Sequence, residues 1–540
     1  MIAGVKDSVV ERKNRIVAVD LGSSSVVVAV GEVQADGQMA VAAIVSKPAE
    51  GVNAGRIENI ALVSQAVRDA VSEVEAQLGI RITEAYAGIS GDFVRCARHT
   101  DHVFVLDPQA GVNQQDVDAL FDRMRNVQAP DEETIMERIP QNYMVDDKQE
   151  VKNPVGSFGK KLSSTFNFIL CGKTPIQRLD MAMRHLGIRM LGVFADSLAT
   201  SEAVLLPEEK EEGVAVVDLG AGVTDVTVYY RNVVRYTVSI PMGAAAINRD
   251  IRTMGVPERH VESLKRKYGS AVAELAPEDK LIRVNGRTAR EAKDILLRNL
   301  ATVIEARATD IAEFVHQEIK DSGYASKLAY GIVLTGGSAQ LKDMDELFRR
   351  VTGMDVRVAI PDAGVAEESK ELVATPAYAT AVGILFKGAE QGGCAIVDHA
   401  SPIPPASPVP PTGGSTVRPP KPPVQTPQPE PHPPIPGSRP VSQRPVPTPP
   451  QPPVQPPVQT PVSPQPESQR PIPGARPVSP HPVPPTPPQP PVQPQPEPQP
   501  PQEEYIEINP ARRKRDLGSI LRKTMDRLNQ SFTVQDDEEI

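Results

Sequence analysis

The sequence predicts an α/β body made of two related halves, followed by a proline-rich arm and a short amphipathic helix. Three observations support this prediction: a glycine-tipped β-hairpin recurs after about two hundred residues, strand-like runs alternate with helical ones, and the prolines are clustered. Of the 57 prolines, residues 1–400 hold 12 and residues 401–501 hold 44. A body of 400 residues exceeds what one hydrophobic core usually serves, so we expect two lobes or more.

The body opens with the first predicted hairpin. Residues 15–33 contain two β-branched runs separated by a turn that holds Asp20 and residues 22–25. Apolar residues then recur at helical spacing from residue 59 to residue 78, and Gly79 ends the pattern.

The second predicted hairpin lies at residues 213–230, where Asp218 precedes a glycine-containing turn. A helical run follows at residues 295–319, and a strand at residues 330–335 leads into Gly336 and Gly337. The repeated hairpin within an alternation of strands and helices indicates two related halves.

Charge and cysteine content narrow the functional class. Residues 1–400 hold 45 Lys and Arg against 56 Asp and Glu, and an acidic body argues against nucleic acid as the main partner. Cys96, Cys171 and Cys394 lie too far apart to suggest a disulfide framework or a zinc site, which fits a reducing cytoplasm. We expect neither a signal peptide nor a membrane-spanning helix, because no sufficiently long apolar run occurs.

Each hairpin places an aspartate beside a glycine-containing turn, and this combination suits phosphate binding. Backbone N–H groups at the tips can hold phosphate oxygens, and Asp20 and Asp218 can hold Mg²⁺ through its waters. Either hairpin alone is best explained as an ordinary tight turn. Together with Gly336 and Gly337 they resemble the actin, Hsp70 and sugar-kinase superfamily, which implies an actin-like two-lobed fold whose RNase H-like halves hold ATP between them.

The resemblance also implies which residues bind the nucleotide. They are Asp20, Gly22, Ser23, Ser24 and Ser25 in the first loop, Asp218, Gly220, Ala221, Gly222, Val223 and Thr224 in the second, and Gly336, Gly337 and Ser338 behind the adenosine. Glu262 and Lys265 resemble the pair that brackets the ribose and adenine, although a surface salt bridge would explain them as well.

The segment between the hairpins narrows the resemblance. Residues 85–91, 139–146 and 152–162 resemble the subdomain inserted in FtsA, the actin-like family of bacterial cell-division proteins. The similarity covers about residues 14–387. The resemblance implies a flexible N-terminus followed by a first half at 14–83 and 168–195, which residues 361–396 join. It also implies an inserted subdomain at 84–167, a second half at 196–245 and 319–360, and a small subdomain at 246–318.

The FtsA resemblance implies an ATP-binding adaptor with weak ATPase activity at most. Such a protein polymerises head to tail on the inner face of the cytoplasmic membrane at the division site, ties FtsZ filaments to that membrane and helps recruit later division proteins. Arg307 and Asp310 resemble the pair that the C-terminal peptide of FtsZ contacts, although an exposed helix face explains them equally well.

Three positions depart from the family pattern. Ser25 stands where a lysine is usual, Val223 where a threonine is usual, and Ala244 where a second glycine follows Gly243. These departures favour nucleotide binding without efficient hydrolysis. The sequence assigns no catalytic residue, because no motif identifies a side chain as the base that would position a water.

Residues 397–504 are predicted to form a disordered proline-rich linker. Residues 434–442 recur almost unchanged as residues 471–479, and such sequence favours polyproline II, which makes a semi-stiff spacer. Docking of SH3-like or WW-like grooves on its Pro-x-x-Pro matches is the less favoured alternative.

The tail, residues 505–540, contains a predicted amphipathic helix at 516–532. Its apolar residues Leu517, Ile520, Leu521, Met525, Leu528 and Phe532 share one face, and Arg522, Lys523 and Arg527 lie on or beside the other. We expect a peripheral anchor that binds anionic membrane lipids. A helix that packs back on the body is the alternative.

Two other functions are possible on the same fold. A small-molecule kinase would need a substrate-binding insertion, whereas the inserted segment resembles that of FtsA. A chaperone ATPase would need a β-rich domain after the body, where the prolines lie instead.

Overall fold

The computed structural model describes residues 15–284, 292–394 and 396–398. The predictions for the N-terminus, for linker residues 399–504, and for the tail with its helix at 516–532 lie outside the described residues.

The strands are β1 (Arg15–Leu21), β2 (Ser25–Val33), β3 (Met39–Pro48), β4 (Val52–Asn53), β5 (Arg56–Ile57), β6 (Ile80–Ile82), β7 (Glu84–Ile89), β8 (Val94–Phe104), β9 (Glu133–Val145), β10 (Gln149–Val151), β11 (Lys161–Gly172), β12 (Arg189–Ala195), β13 (Val214–Leu219), β14 (Thr224–Tyr230), β15 (Val233–Ile240), β16 (Leu281–Val284), β17 (Lys293–Leu296), β18 (Ile332–Thr335), β19 (Val356–Val358) and β20 (Ile396–Asp398). The helices are α1 (Ile60–Leu78), α2 (Gln114–Arg125), α3 (Lys173–Arg184), α4 (Asp196–Val204), α5 (Pro207–Glu212), α6 (Ala244–Thr253), α7 (Glu258–Tyr268), α8 (Leu297–Asp321), α9 (Met344–Thr352) and α10 (Ala379–Gln391).

The first half is built on a five-stranded sheet in the order β12-β7-β1-β2-β3. β1, β2 and β3 are antiparallel neighbours, and β7 and β12 continue the sheet in parallel. Helices α1 and α10 pack against this sheet, and Val17, Val19 and Val28 are fully buried beneath them. The predicted first hairpin is therefore confirmed as β1–β2.

The second half repeats this topology within a larger sheet of nine strands in the order β10-β9-β11-β8-β15-β14-β13-β18-β19. Its last five strands are again three antiparallel neighbours followed by two parallel ones. The predicted second hairpin is confirmed as β13–β14. The same strand pattern in both halves confirms the α/β fold of two related halves.

The inserted segment supplies the other four strands of the large sheet. These strands, β8 to β11, join the second half where β8 meets β15 at the single pair Val238 and Arg95. Glu84–Ile89, which the sequence analysis placed in the inserted subdomain, is the β7 strand of the first sheet. The inserted strands therefore begin after residue 90, not at residue 84.

Local sequence explains where α1 begins and ends. The Asn59 side chain accepts hydrogen bonds from the backbone N–H groups of Ala61 and Leu62, and Gly79 ends the helix in the left-handed conformation at φ 64°. The helix predicted at 295–319 is α8, which starts two residues later because Lys293–Leu296 pairs with β16 as strand β17.

Strand β20 falls where the sequence analysis began the linker. It pairs with β6 through residues 396–398, so the linker starts no earlier than residue 399. In the described part of the chain, no helix combines the length and apolarity that crossing a membrane requires.

Candidate functional site

A cleft of about 880 Å³ lies between the two halves, a size typical of small-ligand sites. Nearly all the predicted nucleotide residues line it: Asp20, Gly22, Ser23, Ser24, Ser25, Asp218, Gly220, Ala221, Gly222, Val223, Glu262, Lys265, Gly336, Gly337 and Ser338. Thr224 differs, because its side chain is fully buried and its hydroxyl donates to the Met242 carbonyl at 2.8 Å.

Both hairpin tips are closed by their own backbone. Gly22 N–H donates to the Ser25 carbonyl at 3.0 Å, and Gly220 N–H donates to the Val223 carbonyl at 3.0 Å. The two tips thus have the same geometry, one in each half.

The N-terminus of α6 packs against the second tip. Ala244 N–H donates to the Gly220 carbonyl at 3.1 Å, and Ala245 N–H donates to the Ala221 carbonyl at 2.8 Å. A Cβ at Gly243 would lie 2.4 Å from the Gly220 carbonyl oxygen. Gly243 is therefore the position that needs glycine, and alanine at residue 244 does not prevent the close approach.

The turn after β18 supports the same tip from the other side. Ser338 Oγ donates to the Gly220 carbonyl at 3.0 Å. Gly336 has φ 86°, and a Cβ there would lie 2.2 Å from Asp218 Oδ1, so both its conformation and its contact require glycine.

Four aspartates line the cleft: Asp20, Asp196, Asp218 and Asp225. Burial raises the pKa of Asp20 to about 7, and the charges of Asp218 and Asp225 add to the effect. Burial also raises the pKa of Asp225 to about 7, although hydrogen bonds from Ser239 and Ser90 oppose it. The pKa of Asp196 lies well above its usual value because of burial and then the charge of Asp20.

Two threonines hold Asp218 in place. Thr200 Oγ1 and Thr380 Oγ1 donate to Asp218 Oδ2 at 2.9 and 3.0 Å. Burial raises the pKa of Asp218, and these two hydroxyls oppose that rise.

The acidic cluster fits Mg²⁺ held through water. Asp196 Oδ1 is buried and has no hydrogen-bond partner among the described residues, which leaves an acceptor for a donor from a bound group. Carboxylate oxygens are the hard ligands that Mg²⁺ prefers. In the described part of the chain, no group of three or more His, Cys, Asp or Glu side chains lies close enough together to hold a metal ion directly.

The predicted Glu262 and Lys265 lie on α7 and line the cleft. They form a salt bridge of 2.8 Å, and the Asn248 amide donates to Glu262 at 2.7 Å. Burial opposes ionisation of Glu262, but Lys265 and Asn248 outweigh it and lower its pKa. Glu262 and Lys265 therefore form a salt bridge with each other and also line the cleft.

Sequence reasoning missed several cleft residues. Asp225 lies in the second hairpin, directly opposite Asp218 in the β13–β14 ladder. Pairing the two predicted strands of this hairpin would have identified it. Asp196 carries no motif, since it is simply the first residue of α4. Lys47 lies on β3, next to the first tip, and lines the cleft. Position 25, in the tip itself, holds serine instead of lysine.

The predicted FtsZ-binding pair lies away from the cleft, in the small subdomain. Arg307 Nε donates to Asp250 Oδ2 at 2.6 Å, and Arg307 Nη1 donates to Asp310 Oδ2 at 3.2 Å. The side chains of Arg307 and Asp310 are each only 3% exposed. They do not form the exposed helix face that was the alternative, and they join α8 to α6.

Comparison with known proteins identifies the family. The family model described as cell division protein FtsA matches residues 215–383, and that of the SHS2 domain inserted in FtsA matches residues 91–170. The chain is 30% identical over 383 residues to cell division protein FtsA of Pseudomonas aeruginosa, covering 71% of this chain and 91% of that protein. It is also 30% identical over 385 residues to cell division protein FtsA of Escherichia coli K12, covering 69% and 90%.

A solved structure, the PilM–PilN type IV pilus biogenesis complex, aligns with a TM-score of 0.48 and 16% identity over 70% of this chain and 99% of that one. The two family models and the relatives agree with the resemblance found in the sequence. The chain belongs to the FtsA family of cell-division proteins and has its actin-like fold.

Proposed function

We propose that the chain is an ATP-binding adaptor that anchors FtsZ filaments to the inner face of the cytoplasmic membrane at the division site. The observation that carries the nucleotide part is the cleft, into which Asp20 and Asp218 and both hairpin tips open from the two halves. Backbone N–H groups at glycine-rich tips suit phosphate oxygens. The acidic cluster behind them suits the accompanying Mg²⁺.

Each part of the cleft has a proposed role. The two tips hold the phosphates, and Asp20 and Asp218 hold Mg²⁺ through its waters. Glu262 and Lys265 bracket the ribose and adenine, and Gly336 and its neighbours lie behind them. Lys47 lines the cleft next to the first tip, where its ammonium pairs with the Glu73 carboxylate.

The proposed ATPase activity is weak at most. Asp196, with its unpartnered Oδ1, is the candidate base. Burial raises the pKa of Asp196, and the charges of Asp20, Asp225 and Asp218 add to the rise. The protonated form, which cannot act as a base, is therefore favoured over the charged form.

The adaptor part rests on the FtsA family and on the tail sequence. The apolar face of residues 516–532 would enter the lipid boundary, while Arg522, Lys523 and Arg527 would meet anionic headgroups. Head-to-tail contacts between copies are heterologous, so they extend into an open filament. Later division proteins would join this assembly.

We further propose that the FtsZ C-terminal peptide docks on the small subdomain. Because Arg307 and Asp310 are buried with Asp250, their proposed contribution is indirect. They fix α6 against α8, and the peptide contacts the surface that these helices form.

Vesicle flotation with FtsZ tests the adaptor proposal. We expect the full chain to carry FtsZ to the top of the gradient on vesicles that contain anionic lipid. A Leu521→Asp, Met525→Asp variant should leave both proteins at the bottom, whereas a Thr533→Asp variant just beyond the helix should float normally. Equal flotation of the first variant and the unchanged chain would show that the tail is not the anchor.

A further inference from the structure

Ser90 joins the inserted subdomain to the nucleotide cleft. It follows β7 directly, and residues 91–93 lead from it into β8, the first inserted strand. Its hydroxyl reaches across to the second half, where its oxygen lies 2.8 and 2.7 Å from the two carboxylate oxygens of Asp225. Both residues line the cleft. The root of the inserted subdomain is thus hydrogen-bonded to a cleft carboxylate of the opposite half.

The Asp225 carboxylate accepts hydrogen bonds from two serine hydroxyl groups. Ser239 donates to Asp225 Oδ1 from the adjacent strand β15, and Ser90 donates from the first half. The charged group of the cluster that acts on Asp225 most strongly is Asp218, and it opposes ionisation. Any cation or phosphate that enters the cleft therefore changes how strongly Asp225 attracts the Ser90 hydroxyl.

The chain around Ser90 is firmly held. A Cβ at Gly55 would lie 1.9 Å from the Ser90 carbonyl oxygen, so the β4–β5 turn packs directly on it. Gly55 N–H in turn donates to Ser23 Oγ of the first tip at 3.2 Å. A shift at the first tip is therefore passed to Ser90 through the β4–β5 turn by direct contact.

The inserted subdomain is tied to this root at both ends. Gly91 has φ 148°, a backbone conformation suited to glycine. Arg56 pairs with Asp92 at 2.5 Å, and Gly172 N–H at the end of β11 donates to the Phe93 carbonyl at 3.1 Å. The strands that enter and leave the subdomain are thus both joined to the root by direct contacts.

We propose that Ser90 is the positioning residue through which nucleotide binding in the cleft changes the inserted subdomain. The inference rests on the proposed nucleotide function. Bound Mg²⁺ and phosphate favour one arrangement of Asp225, and the Ser90 hydrogen bond passes this preference to the root. Coupling of this kind needs two sites and one element whose arrangement both sites influence. Here that element is residues 90–93.

Hydrogen exchange of the full chain with and without MgATP tests the coupling. We expect MgATP to slow exchange in β8 and β11 at least about fivefold in the unchanged chain, the lower end of typical couplings. At MgATP concentrations that calorimetry shows to saturate each chain, Ser90→Ala should lose this difference, and Ser90→Thr, which keeps the hydroxyl, should restore it. Asp225→Asn probes the same contact from the other half and should reduce the difference as well.

Ser64→Ala is the matched control. It also removes a hydroxyl of the first half that makes one hydrogen bond, to the Ala182 carbonyl at 3.2 Å, and it should keep the full MgATP effect. A Ser90→Ala chain with the same effect as the unchanged one would overturn the proposal. If the unchanged chain binds MgATP but exchange in β8 and β11 does not slow, the coupling is wrong and the proposed function stands. If the unchanged chain does not bind MgATP, both the coupling and the proposed function are wrong.

Discussion

Asp20 and Asp225 are buried carboxyl groups in the cleft whose charge state depends on what the cleft holds. The pKa of each is about 7, whereas the ordinary value is 3.8. Because the folded chain binds these protons more tightly than the unfolded chain, its stability falls as pH rises from about 4 to about 7. Mg²⁺ in the cleft would reduce this loss of stability at higher pH, because it stabilises the charged carboxylates of Asp20 and Asp225.

This predicts that the nucleotide-free chain is less stable at pH 7.5 than at pH 5.5, by on the order of a few kcal/mol. Urea denaturation at the two pH values measures the difference. Asp20→Asn should shrink it because one buried acid no longer titrates, while Asp118→Asn, on the exposed side of α2, should leave it unchanged. A difference of the same size in the Asp20→Asn chain would refute the assignment.

The residue scale also shows what the sequence could predict. The tips and the Gly336 turn follow from local motifs, and the structure places them in one cleft. Asp196, Thr200 and Thr380 come from helices whose sequences carry no motif, and only tertiary packing brings them to Asp218 and its neighbours. Nor does the local sequence reveal that Arg307 is buried, because helical periodicity does not separate an ion pair between helices from an exposed one.

At the scale of elements, the junction between the inserted strands and β15 holds a buried cation. The side chain of Arg235 on β15 is only 2% exposed. It donates to the Gln141 and Asn142 side-chain oxygens at 3.1 and 3.2 Å and to the Tyr230 carbonyl at 3.0 Å. Neutral oxygens thus solvate a buried cation between the inserted segment and the second half.

Arg235→Ala should therefore lower the free energy of unfolding by about 2–4 kcal/mol, since buried acceptors lose their donor. Chemical denaturation followed by circular dichroism measures the change. Arg231→Ala is the control, because Arg231 is exposed and only stacks on the Tyr230 ring at 5.3 Å; it should cost less than about 1 kcal/mol. Similar losses in both variants would mean that the junction is not held by Arg235.

Elements with strong local signals were predicted well. The hairpins and α1 follow from β-branched runs, from glycine and from a capping asparagine. The assignment of Glu84–Ile89 to the inserted segment was wrong, because nothing in that strand tells which of two sheets it joins. Its parallel pairing with β1 depends on residues far away in the sequence.

At the scale of the whole molecule, the proline-rich arm is expected to set the distance between the body and the membrane. Its repeat at 434–442 and 471–479 offers a clean deletion, residues 434–470. At ~3.1 Å per residue of polyproline II, this deletion shortens the maximum reach by about 115 Å.

The shortened chain should still float with vesicles, because it keeps the predicted amphipathic helix at residues 516–532. Electron cryo-tomography of FtsZ filaments on those vesicles should show a narrower gap between filament and bilayer. A deletion of residues 536–539 at the end of the tail controls for chain length alone and should leave the gap as it is. An unaltered gap in the shortened chain would mean that the arm does not act as a spacer.

The central claim is that the cleft binds MgATP through the aspartates of both hairpins. Isothermal titration calorimetry tests it most directly on the unchanged chain, on Asp218→Ala and on the control Asp118→Ala. We predict that MgATP binds the unchanged chain and the control equally, and that Asp218→Ala weakens the affinity at least about tenfold, or ~1.4 kcal/mol. Equal affinity in all three chains, or no binding to the unchanged chain, would contradict the claim.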